Sequence, residues 1–136
     1  MTDPELLAKK LAFIETCVAE LERLANPEVI ATDVREERFV EHTLQLAIQA
    51  AQDVASHIVS DERLGEPRTN RELFDLLGRN GWLDESQATL LSDMVGFRNI
   101  LVHGYGDVDL SIVRDVLENN LDDLLNFVAV VRARMP

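Results

Sequence analysis

The sequence predicts an all-α fold, an up-and-down bundle of four to five helices. Three observations support this. Apolar residues recur at three- and four-residue steps along most of the chain. Cap residues precede these runs, and Pro or Gly closes them. No alternating strand pattern, internal repeat or low-complexity segment appears.

The first helix opens at Asp3-Pro4, a cap residue followed by proline at the first helical position. Leu7, Leu11, Ile14, Val18, Leu21 and Ala25 form its apolar stripe, and Pro27 ends it. Asp33 and Glu36 have capping-box spacing, opening a second helix that reaches about Asp61. This second helix is apolar nearly all round, from Phe39 and Val40 through Leu44, Ile48 and Val54 to Ile58. Such a helix is central in a bundle or buried again in an oligomer, and both are expected.

Thr69 and Glu72 form a second box ahead of a short helix over Asn70 to Leu77. The chain then turns through Gly78 and Gly81. Asp84 and Gln87 open a fourth helix running toward His103, where Gly104 suits a left-handed C-cap. A fifth helix starts at Asp109, with Leu110, Val113, Leu117, Leu121, Leu124, Val128 and Val131 as one stripe.

The 136 residues make one domain, 1–136, able to bury about two-thirds of its unfolded surface. The single Cys17 excludes an internal disulfide and reads as a small buried hydrophobe. No signal peptide or membrane-length apolar run is seen, so a cytoplasmic location with no membrane contact is expected. With 25 acidic and 13 basic residues the formal charge is −12. On average this surface repels nucleic acid, so any such partner needs a local basic pocket.

The stretch GFRNILVHGYGD, Gly96 to Asp107, groups Arg98, His103 and Tyr105. On a straight helix Leu91, Met94, Val95, Leu101 and Val102 share one face, with Arg98 in its middle. A guanidinium in an apolar stripe is expensive unless paired or lining a cleft. His103 lies on one flank at the helix end, and Ile100 points the opposite way. Gly96, mid-helix, costs about 1 kcal/mol against alanine and would admit another backbone near Arg98. Each residue also has an ordinary reading. Arg98 would pair with a buried acid, Glu41 or Asp53. His103 would be a helix-end residue favoured by the macrodipole. Tyr105 would be a loop or interface aromatic.

RNILVHGY resembles the motif of HEPN-domain proteins of the HepT family: Arg, four residues, His, one residue, Tyr. ERFVEHTLQLAIQAAQDVASHI, Glu37 to Ile58, is similar to that family's long second helix, and the likeness extends from about Val34 onward. The resemblance implies a helical homodimer with its cleft at or beside the two-fold interface. It implies a metal-independent endoribonuclease, the toxin of a bacterial toxin–antitoxin pair. It implies a partner, an MNT nucleotidyltransferase antitoxin, that silences the toxin by adenylylating a tyrosine. Carried over, the catalytic residues are Arg98 and His103, Asn99 and Tyr105 contact substrate, and Tyr105 is the modified residue. No metal or other cofactor is expected.

The residue types suit RNA cleavage. Histidine can take the proton of the ribose 2′-hydroxyl or give one to the leaving 5′-oxygen. Arg98 can stabilise charge on the phosphoryl oxygens, and Tyr105 can donate to one of them. One histidine per site leaves the acid–base pair incomplete, so two copies of His103 across a two-fold axis are expected. The alternative is a non-catalytic helical subunit that binds a nucleotide or a nucleotidyltransferase, with Arg98 and His103 holding phosphate without cutting.

Other signals are weaker. Asp53, His57 and Asp61 have a spacing that can present metal ligands, but three polar residues so placed are more often a solvated flank. His42 reads as structural and Trp82 as a cap on the core. Arg35 and Arg38 suit either an RNA groove or surface pairs with Glu36, Glu37 and Glu41.

Overall fold

The computed structural model describes residues 3–103 and 108–135. Six α-helices lie among them: α1 Pro4–Leu24, α2 Val34–Asp61, α3 Asn70–Arg79, α4 Glu85–His103, α5 Leu110–Asn119 and α6 Leu121–Arg134. A 3-10 turn, Pro27–Val29, joins α1 to α2. The all-α expectation holds, with one more helix than the sequence suggested. No helix of the described residues is long and apolar enough to cross a membrane.

The extra helix comes from a break at Asn120. The apolar stripe continues through it, because Val113, Leu117, Leu121, Leu124, Val128 and Val131 are all buried. The backbone does not, and Asn120 takes φ −117°, ψ 0°. Its side-chain amide donates to Asp123 Oδ2 at 2.9 Å, an alternative to helical continuation. Periodicity reports which face is apolar and cannot register one residue of bent backbone.

The caps follow local chemistry with two departures. Asp3 accepts from the backbone N–H groups of Glu5 and Leu6 at 3.0 and 3.2 Å. Asp84 and Gln87 close a reciprocal box at 2.7 and 3.1 Å. Asp33 caps α2 through the N–H of Arg35. Its expected partner Glu36 instead accepts from the N–H of Asn26, tying the preceding linker to α2. Likewise Thr69 receives the Glu72 N–H at 3.3 Å, while the Glu72 carboxylate takes the N–H of Arg68 at 2.6 Å.

The long helices α1, α2, α4 and α6 form the bundle, with α2 touching every other helix. Val40, Leu44, Ala47, Ile48, Val54, Ala55 and Ile58 are sealed. This central position uses most of the apolar circumference of α2 within one chain. Val34 and Leu46 are its large apolar side chains that stay exposed. Phe74 of α3 and Phe127 of α6 meet edge to face, centroids 5.6 Å apart. Arg134 lies 4.2 Å over the ring of Trp82 and donates to the Gly81 carbonyl, pinning the end of α6 to the α3–α4 turn.

Gly78 proves to be a point of close approach of α3 to α4 rather than part of the turn. A Cβ there would lie 2.9 Å from the Ala88 Cβ. This contact sets how deeply α3 seats on α4. Gly78→Val should therefore destabilise the protein by about 1–3 kcal/mol in urea unfolding. An unchanged midpoint would show that α3 shifts without penalty.

Candidate functional site

The site is built on the last two turns of α4. Leu91, Met94, Val95 and Phe97 are buried against the bundle and fix the helix's rotation. That rotation carries Arg98 part-way into the interior. Arg98 Nε is sealed from solvent and has no hydrogen-bond partner. The one other buried side-chain atom in this condition among the described residues is Gln52 Oε1. Arg98 Nη1 reaches Asn99 Oδ1 at 3.5 Å, the weak limit of a hydrogen bond.

Neither acid proposed as its partner is available. Asp53 is held by Lys10 Nζ at 3.2 Å and by the Gln49 amide at 2.9 Å. Glu41 lies beside Glu37. Burial first, then the Glu37 charge and a hydrogen bond with it, push the Glu41 carboxyl above its usual range, with Arg38 opposing. Arg98 thus makes no ion pair among the described residues.

His103 is the last residue of α4 and is exposed. It lies five positions after Arg98, about 140° around the helix axis. The two side chains therefore leave the helix end in different directions rather than stack on one face. Asn99 lies between them and is exposed. Tyr105, Gly104 and their expected roles fall outside the described residues. Ile100 points outward as expected, 52% exposed.

The approach at Gly96 differs from the expected one. Among the described residues the nearest atoms there are side chain, not backbone. A Cβ on Gly96 would lie 3.2 Å from Nη1 of Arg71, a residue of α3 that sequence reasoning did not single out. The Arg71 guanidinium lies across α4, with Nη2 3.1 Å from Asp93 Oδ1 and Nε 3.5 Å from Ser92 Oγ. A mid-helix glycine without a turn to make was the signal that some bulky group must lie over it.

Other candidates resolve differently. Among the described residues no group of three or more His, Cys, Asp or Glu is arranged to hold a metal ion. His42 is exposed and His57 half-buried. Cys17 is buried, and that burial pushes its thiol up from the ordinary range. Trp82 packs against the core, as expected. Arg35 and Arg38 are exposed, and neither forms an ion pair among the described residues.

A family model described as Ribonuclease HepT-like matches residues 14–131. The chain belongs to that family. It is similar to the mRNA nuclease HepT of Shewanella oneidensis, 31% identical over 95% of this chain and 98% of the relative. It is also similar to the tRNA nuclease HepT of Aphanizomenon flos-aquae, 31% identical over 79% of this chain and 74% of the relative. Its backbone matches the solved structure of a tri-AMPylated Shewanella oneidensis HEPN toxin in complex with MNT antitoxin. The TM-score is 0.89 at 31% identity, covering 98% of this chain and 100% of that one.

Two outcomes are expected. Removing the guanidinium removes a sealed, unsatisfied polar atom, so Arg98→Met should raise stability by about 1 kcal/mol in urea unfolding. A loss of similar size would mark Arg98 as structural. Glu41, raised above its unfolded value, favours the fold while protonated, and this is lost as pH rises through its folded value. Glu41→Gln should then be more stable than wild type at neutral pH, with the difference fading below the ordinary glutamate range.

Proposed function

We propose that this chain is an endoribonuclease toxin, a single helical domain over residues 1–136 that cuts RNA without a metal ion. The observation carrying this reading is the Arg98 guanidinium, which makes no ion pair among the described residues, five residues before an exposed His103. An anion would pair with this guanidinium, and phosphate matches its fork. The family membership and the nuclease names of the two relatives support the same reaction.

The chemistry follows from those groups. One His103 takes the proton of the ribose 2′-hydroxyl, and the 2′-oxygen attacks phosphorus. The bond to the 5′-oxygen breaks, leaving a cyclic phosphate on one fragment. A proton returns to the leaving 5′-oxygen from a second His103. Arg98 stabilises the charge on the non-bridging oxygens, with Asn99 and Tyr105 orienting the phosphate. Because each chain supplies one His103, the proposal places the cleft across the two-fold axis of a homodimer.

The partner in this reading is an MNT-type nucleotidyltransferase antitoxin, as in the complex of the similar toxin. It transfers an adenylyl group from ATP to the Tyr105 phenol oxygen and releases pyrophosphate. The added phosphate repels the substrate phosphate and blocks the cleft.

The purified protein should cut RNA in the presence of a chelator, and His103→Ala should abolish cutting while leaving the dimer intact by sedimentation. Nucleotide binding without RNA turnover would instead establish the non-catalytic subunit. Tyr105→Phe should keep partial cleavage and escape silencing by the antitoxin. Equal labelling of this variant with radiolabelled ATP would place the modification elsewhere.

A further inference from the structure

We propose that Arg71 is a substrate-positioning residue of the same site, holding a backbone phosphate of the RNA away from the scissile bond. This deepens the nuclease reading of Arg98 and His103 and rests on it. Ser92, Gly96 and His103 follow one another at steps of four and seven residues, so they lie on nearly one face of α4. Gly96 and His103 are two turns, about 10 Å, apart along the axis. Asn99 and Ile100, both exposed, lie between them. The Arg71 guanidinium and the His103 imidazole therefore mark the two ends of one exposed strip. A strand bound along that strip with its reacting phosphate at His103 brings a neighbouring phosphate toward Arg71.

The way Arg71 is held suits this role. Gly96 offers no side chain, so the guanidinium lies close against the helix instead of being lifted from it. Nη1 donates to no acceptor among the described residues. The Ser92 contact is long, and the Asp93 pair is half-exposed, with 51% and 65% of the two side chains accessible. Such a pair is weak, and a phosphate can displace the carboxylate. A chain with formal charge −12 has to draw RNA through local cations, and Arg71 supplies one beside the motif. The competing role is a purely structural tie between α3 and α4.

Steady-state cleavage of an RNA oligonucleotide by the full chain separates the two. Arg71→Ala should raise KM roughly tenfold and change kcat by less than about twofold. Its plot of log affinity against log salt should be shallower by about 0.7, the value for one phosphate on a single strand. Arg71→Lys should restore that slope, and Gly96→Ala, which lifts the guanidinium, should raise KM in the same direction. Asp93→Asn frees Arg71 and should lower KM; a structural tie predicts no such gain. Wild-type KM and salt slope in Arg71→Ala would overturn the assignment while cutting by the wild type persists. If Arg71→Ala does not fold, an unchanged or raised KM in Asp93→Asn overturns it instead. A wild type unable to cut RNA would sink the nuclease reading first and this one with it.

Discussion

One guanidinium governs how this chain is organised near its functional end. Arg98 stands in the inward stripe of α4, between Val95 and the half-buried Leu101 and Val102. Its Nε is closed off from water without an acceptor. A charge so placed is costly unless something answers it. The chain contains 25 acidic residues, and among the described residues none pairs with Arg98. Asp53 is committed to Lys10 and Gln49, while Glu41 leans on Glu37. Among the described residues Arg98 is therefore left without a carboxylate at this helix end.

Keeping that guanidinium in place requires a rigid α4. Leu91, Met94 and Val95 lock its rotation against the bundle, and the Gly78–Ala88 approach seats α3 along its first half. The Asp84–Gln87 box fixes where α4 begins. Each of these lies earlier along α4 than Arg98 and His103, yet each sets where those two side chains emerge. Precision at the site is supplied by packing elsewhere.

The acidic total remains the feature least suited to an RNA ligand, and the proposed site has to answer it locally. Attraction between charges falls off over a Debye length of about 8 Å at physiological salt. In the proposed site, two arginines on or against α4 would outweigh carboxylates beyond that range, with Asp93 the one paired to Arg71. Arg71 reaches this region from another helix, so no motif along α4 could announce it. The mid-helix Gly96 announced only that something bulky was near.

Helix positions were determined by the sequence itself, because caps, prolines and three- and four-residue spacing act within a turn or two of chain. The family was legible for a similar reason, since RNILVHGY lies in one continuous stretch. Reach across helices was not legible. Glu36 bonds Asn26 rather than closing its own box, and Asn120 breaks a stripe that runs unbroken through it. The apolar excess of α2 is mostly spent inside one chain. Which charges find partners, and which stay open to a ligand, was decided only by the tertiary structure, because pairing depends on distances between segments far apart in sequence.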